Sequence, residues 1–162
     1  MRKFVFSICM VFLCASFALA QGKVASEWKC PKAAAPHSIE VGDQPNHAYS
    51  ISQTKCTATK GEIAGVKEKE GTATDFFEAT GNNSSGHGVF VETMTNGDKV
   101  HYTYTSSATM KGAQMASGGN KWQVTGGTGK FKGIKATGTC KGTGNPDGSV
   151  TWTCNGTYSL PK

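Results

Sequence analysis

The sequence predicts an all-β chain closed into an eight-stranded antiparallel β-barrel, preceded by an irregular N-terminal arm. Three observations carry this expectation. No window of ten or more residues places apolar side chains at helical spacing. From Ser38 onward, runs rich in Thr, Gly and aromatic residues alternate with turn sequences. Eight such runs with no helix to cover them leave exposed sheet edges, which closure removes. A two-sheet sandwich is the alternative arrangement of the same strands. The 21 glycines suit tightly bent barrel strands.

Taken in order, residues 1–20 read as a secretory signal peptide: Arg2 and Lys3 precede an apolar run from Phe4 to Leu19, and the small residues Ala18 and Ala20 flank the expected cut. Leu13 before Cys14 is too large for a lipid-attachment signal. The apolar run is shorter than the ~20 residues a membrane span needs, so export without stable membrane insertion is expected. Cleavage leaves 142 residues, the size of one domain with a sizeable core. It also removes two positive charges, lowering the formal net charge from +6 to +4. The remaining lysines are scattered between Gly and Thr, which describes a solvated basic surface rather than a nucleic-acid site. Residues 21–36 contain Pro31 and Pro36 and no evident periodicity, and are read as the arm; residues 37–162 form the single barrel domain. Its strands are expected at about 38–42, 47–58, 64–80, 86–95, 98–107, 112–126, 133–144 and 149–160.

Two hairpins are specified by their turns. Asn96-Gly97 reads as a two-residue turn whose central positions both tolerate positive φ. With Thr95 opposite Asp98, residues Val89, Val91 and Thr93 oppose Tyr104, Tyr102 and Val100, and this apolar face is the expected interior. Phe90, Glu92, Met94, Lys99, His101 and Thr103 take the other face. Pro146-Asp147-Gly148 reads as a three-residue loop closed between Asn145 and Ser149, with Gly148 in the left-handed position. Val150, Trp152, Cys154, Tyr158 and Leu160 then face inward, as do Ile134, Ala136, Gly138 and Cys140 on the partner strand.

Cys9 and Cys14 leave with the signal, and the four that remain argue for two disulfides in an exported chain. The Pro146–Gly148 register puts Cys140 directly opposite Cys154. Opposed residues on antiparallel strands lie about 4.5 or 5.5 Å apart at Cα, within a disulfide's reach. Elimination pairs Cys30 with Cys56.

Gly126-Gly127-Thr128-Gly129-Lys130-Phe131-Lys132-Gly133, followed by Ile134, Lys135 and Gly138, resembles the Gly-rich segment of the allene-oxide-cyclase-like barrels, the superfamily that includes plant dirigent proteins. Val41-Gly42-Asp43-Gln44-Pro45-Asn46-His47 resembles their strand-turn opening. With its signal segment and four cysteines, the chain as a whole is similar to small exported bacterial proteins. The resemblance implies an eight-stranded calycin-like barrel with Phe131 plugging one end. It carries no reaction. The family enzymes' functional carboxylates and arginines are not matched here, and after residue 20 the chain contains no Arg.

The chemistry-bearing residues are sparse. The Gly-rich segment lacks the Gly-Lys-Ser/Thr ending of a phosphate loop, since Phe131 follows Lys130. Glu92 and His101 are opposed in the Asn96-Gly97 register and are the weak candidates for a catalytic acid/base pair; the plainer account is a cross-strand ion pair. His37, His47, His87 and His101 show no ligand spacing, so no metal is expected, and no cofactor is implied. Asp75 and Glu78 fall on opposite faces of a strand, which argues against a paired-carboxylate site. No Gly-x-Ser-x-Gly elbow occurs. Tyr102, Tyr104, Trp122 and Trp152, with Tyr158, either line a ligand pocket or fill the core, and core filling is the favoured reading.

The sequence therefore points to a non-catalytic, exported, disulfide-stabilised barrel with room for a small hydrophobic or aromatic ligand. The rivals are a barrel isomerase or cyclase acting on a lipid-like or phenolic substrate, and a structural or surface-interaction protein. Peptide mapping of the oxidised protein should recover Cys140 and Cys154 linked within one short peptide; a Cys56–Cys140 link would break the register.

Overall fold

The computed structural model describes residues 20–34, 36–112 and 114–161. The predicted signal segment lies outside the described residues, apart from Ala20. The strands are β1 (Ala20–Cys30), β2 (His37–Glu40), β3 (Ala48–Lys60), β4 (Glu62–Ile63), β5 (Val66–Thr80), β6 (Asn83–Met94), β7 (Lys99–Lys111), β8 (Gln114–Gly127), β9 (Lys135–Gly144) and β10 (Val150–Leu160), with a short 3-10 turn at Gly129–Phe131. Antiparallel pairing runs β3-β1-β10-β9-β8-β7-β6-β5 and returns from β5 to β3, closing an eight-stranded barrel. Two short strands are added to it: β2 lies on Ala48–Ile51 of β3, and β4 forms a small hairpin with the start of β5.

The arm is shorter than its prolines suggested. Residues 21–30 are most of β1, paired along their whole length with β10 and at Glu27–Lys29 with β3, so among the described residues of the arm only 31–34 and 36 are irregular. The expected strand at 38–42 is instead the extra strand β2, and β1 takes its place in the ring. Val24, Ser26 and Trp28 are buried while Lys23, Ala25 and Lys29 are exposed, an alternation that marks a half-buried strand.

The register of the β6–β7 hairpin differs by one residue from the expected one. Gly97 takes the left-handed conformation (φ 86°) and its N–H donates to the Met94 carbonyl at 3.0 Å, while the Met94 N–H donates to Asp98 O at 2.9 Å. The loop is thus three residues, Thr95–Gly97, a turn followed by a left-handed glycine. Asn96 keeps negative φ and uses its side chain on Asp98, donating from Nδ2 to Oδ2 at 2.8 Å. Glu92 therefore opposes Val100, Phe90 opposes Tyr102, and Gly88 opposes Tyr104. A one-residue slip exchanges the two faces of a strand. Phe90, Glu92 and Met94 turn inward beside Tyr102 and Tyr104, whereas Val89 and Val91 are exposed.

The β9–β10 hairpin adopts the expected register. Asn145 N–H donates to Ser149 O, Gly148 has φ 80°, and Cys140 opposes Cys154. Both disulfides form: Cys30–Cys56 with Cα atoms 4.2 Å apart, and Cys140–Cys154 at 4.0 Å. The first continues the short β1–β3 ladder, which otherwise has three paired positions, and so staples the seam at which the barrel closes.

One end of the barrel is sealed. Phe131 and Val100 are fully buried, and Met94, Ile63 and Ile134 are within a few per cent of it. Truncating a buried Phe removes its transfer free energy and leaves a cavity, typically about 3–5 kcal/mol. Phe131→Ala should lose stability on that scale in chemical denaturation. A loss below about 1 kcal/mol would show that the plug is not an integral part of the core.

Candidate functional site

The barrel interior is hollow. A cavity of about 370 Å³ runs from Glu68 and Glu92, beside the sealed end, to Lys32, Met110 and Met115 at the opposite rim. Its existence follows from how the aromatic residues are seated. A Cβ at Gly138 or Gly156, which oppose one another on β9 and β10, would collide with the Trp122 ring. Trp152 covers Gly142, Phe90 covers Gly71 and Tyr158 covers Gly22 in the same way. The rings lie against bare backbone instead of meeting at the barrel axis.

At the inner end the rings form a continuous belt. Trp28 meets Phe90 edge-on with centroids 5.0 Å apart, Phe90 lies 6.0 Å from Tyr102, and Tyr102 meets Trp122 edge-on at 5.7 Å. Within this belt stand three carboxyl groups: Glu92 is 1% exposed, Glu68 7% and Asp75 9%. The Tyr102 hydroxyl donates to Glu92 Oε2 at 2.5 Å, and the Tyr104 hydroxyl donates to Asp75 Oδ1. Glu68 Oε2, Glu92 Oε1 and Trp122 Nε1 are buried and have no hydrogen-bond partner in the protein.

Burial in an apolar surround disfavours the ionised form. It is the main cause that raises Glu68, reinforced by the neighbouring Glu92, and the Ser26 hydroxyl opposes it. Glu92 and Asp75 are raised by the same desolvation, against the opposing hydrogen bonds from Tyr102 and Tyr104. The two tyrosines are driven upward by burial and by the adjacent acids, and remain neutral donors. The arrangement can hold protons on carboxyl groups at neutral pH and present them to a ligand in a site sheltered from water.

The structure separates the pair Glu92 and His101. Glu92 faces the lumen and His101 lies on the other side of the wall, opposite Val91, because the longer hairpin loop shifted the register. Tyr102, Tyr104, Trp122 and Trp152 all line the cavity. Asp75 and Glu78 do fall on opposite faces, and that separation is what makes Asp75 an interior residue. Glu78 is on the outside, where His47 lies between Asp43 Oδ1 (2.6 Å) and Glu78 Oε1 (3.0 Å) and ties the 41–47 loop to β5. Those contacts, Asp43 first, hold the imidazole above its ordinary pKa. Glu68 was not anticipated. Among the described residues, no group of three or more His, Cys, Asp or Glu side chains is arranged to hold a metal ion.

No protein-family model matches the chain, and no curated protein matches it in sequence. Among solved structures, the pterocarpan synthase dirigent protein GePTS1 is similar over 99% of this chain and 100% of its own, at 11% identity and a TM-score of 0.50. The pterocarpan synthase dirigent protein PsPTS1 is similar over 90% of this chain and 97% of its own, at 12% identity and a TM-score of 0.47. The fold is a dirigent-like barrel.

The raised carboxyls give folding a defined pH dependence. The folded state keeps protons that the unfolded chain releases near pH 4.5, so stability falls as pH rises above that value toward the folded-state values. Each proton involved contributes a slope of up to about 1.4 kcal/mol per pH unit. His47 adds a loss of the same sign above its ordinary value of 6.5. Denaturant midpoints measured from pH 5 to 8 should decline, and Glu68→Gln with Glu92→Gln should flatten the decline below the histidine range. An unchanged slope in the double variant would show that neither carboxyl is held protonated.

Proposed function

We propose that this protein is an exported, disulfide-stapled barrel that binds a small, largely aromatic or apolar molecule in its lumen. The observation that carries the reading is the cavity itself: about 370 Å³, walled by Trp28, Phe90, Tyr102, Trp122 and Trp152 and furnished with a few convergent polar groups. That volume and lining fall within the range of small-molecule sites. Export is supported by the signal-like segment at residues 1–20 and by two disulfides, which persist in oxidising compartments. The interior is not packed solid, which favours a ligand over a purely structural role.

A second reading, a cyclase or isomerase, is favoured by one specific arrangement. Asp75 and Glu92 each stand against a tyrosine hydroxyl in a water-sheltered cavity, as general acids for an oxygen leaving group would. GePTS1, whose fold this chain shares, is a pterocarpan synthase dirigent protein, and a phenolic or lipid-like substrate would suit the aromatic wall of this lumen. Glu92 would then act with Tyr102 rather than with His101.

Titration with neutral aromatic compounds, followed by tryptophan emission and thermal midpoint, tests the binding reading. Trp28, Trp122 and Trp152 all report on the lumen. A ligand at 100 times its Kd adds about 2.7 kcal/mol, a midpoint rise of roughly 5–10 °C. Ala73→Phe, which projects a ring into the cavity, should abolish the response. Ligand-independent midpoints across the panel, or a response unaltered by Ala73→Phe, would remove the lumen as a binding site.

A further inference from the structure

Resting on the binding reading above, the geometry points to a ligand that carries a protonated primary or secondary amine, seated between Glu68 and Glu92 and against the ring belt of Trp28, Phe90, Tyr102 and Trp122.

The argument begins with the balance of donors and acceptors at the inner end. Tyr102 and Tyr104 already direct their hydroxyls to Glu92 and Asp75. What remains unpartnered along the cavity is rich in acceptors: one oxygen on each of two glutamates, both more than nine-tenths buried, and Asn120 Oδ1, against one indole N–H. Buried polar groups in folded proteins are almost always satisfied, so a partner is missing at this depth. The two acids hold protons while the site is empty, and releasing them to solvent on binding leaves carboxylate acceptors for a donor. A ligand hydroxyl supplies one donor. An ammonium supplies two or three and brings the positive charge that offsets the carboxylates formed when the acids release their protons on binding.

The protein does not bring that charge itself. Among the described residues, the one cationic side chain lining the cavity is Lys32, which stands at the opposite rim. The neighbours of the two glutamates are Ser26 on β1, Tyr102 on β7 and the aromatic rings, none of them cationic. The wall is suited to a cation in a second way. Ring centroids spaced 5.0 to 6.0 Å around the belt present π-faces and edges at the depth of the carboxylates. A desolvated cation within about 6 Å of such faces is attracted to them.

Glu68 is held in place by the surrounding backbone. Gly61 has φ 136°, and a Cβ there would collide with the Glu68 carboxylate and with Ser26. The Glu68 N–H donates to Gly61 O at 3.1 Å, and the β5–β6 ladder is interrupted between Glu68 and Glu70. The irregularity turns the residue inward, so the acid is a built part of the lumen.

Calorimetric titration with three molecules of closely matched shape tests the proposal: 2-phenylethylamine, 2-phenylethanol and 3-phenylpropionate. On the unmodified protein the amine should bind about tenfold or more tighter than the alcohol, and the carboxylate weakest of all. Glu68→Gln with Glu92→Gln should lower amine affinity about tenfold while leaving the alcohol within a factor of about three. If amine and alcohol bind equally, the charge assignment is overturned and the binding site stands. If none of the three binds, site and assignment fall together. The unmodified protein decides between these outcomes even if the double variant does not fold. A trimethylammonium analogue adds a further discrimination: binding as tight as the primary amine would show that the glutamate oxygens do not take donated hydrogens, and would overturn the assignment of a primary or secondary amine.

Discussion

What this barrel encloses is decided at one residue, Gly97. Because it takes the left-handed conformation while Asn96 keeps negative φ, the β6–β7 loop has three residues and Glu92 points into the lumen. With a two-residue loop the same strands would present Val89 and Val91 inward and place Glu92 outside, since side chains alternate with period two. The cavity would then be lined on β6 by aliphatic side chains in place of Phe90 and Glu92. Three interior features depend on that register: the Tyr102 hydrogen bond to Glu92, the nearness of Glu92 to Glu68, and the ring belt, in which Phe90 sits between Trp28 and Tyr102.

A second constraint keeps the space open. An eight-stranded barrel is just wide enough for side chains to fill it, so a lumen persists only where some wall positions carry none. Gly71, Gly138, Gly142 and Gly156 are such positions, and large rings are laid over them. The result is a wall with high aromatic content and a hollow axis. It is closed below by Phe131 and stapled at the β1–β3 seam by Cys30–Cys56. The disulfide reinforces the weakest ladder of the ring, so closure does not rely on its three paired positions alone.

The parts legible in the sequence are those governed by local geometry. The Pro146–Gly148 loop fixes its own register, so Cys140 and Cys154 could be matched and the facing of β9 and β10 read directly. The β6–β7 loop belongs to the same class, a turn followed by a left-handed glycine. Asn96-Gly97 suits a two-residue turn equally well, and nothing adjacent distinguishes the two. β1 was legible in principle: Lys23, Glu27 and Lys29 alternate with Val24, Trp28 and Cys30. The prolines that follow obscured it. Glu68 could not be found by periodicity, because the interruption at Glu68–Glu70 changes the inward parity within β5, from Glu68 to Gly71, Ala73 and Asp75. Its place is set by backbone contact with Gly61, a relation between residues that no pattern of one strand encodes.

The three interior acids are the costliest feature of the fold. Removing a carboxylate from water without a partner is so unfavourable that the group takes up a proton instead. Even then, Glu68 and Glu92 each retain an unpartnered oxygen. Stability alone does not explain their retention, since apolar residues of similar volume would suit such a wall better. The irregular β5 segment, the ring-covered glycines and the left-handed Gly97 all act to hold these acids at the inner end of an otherwise apolar chamber. A cationic guest would answer that electrostatic demand at the same depth as the aromatic belt, while the apolar walls above it accept the rest of the molecule. On this view the buried acids and the hollow axis are two parts of one device. The acids select what the rings then surround.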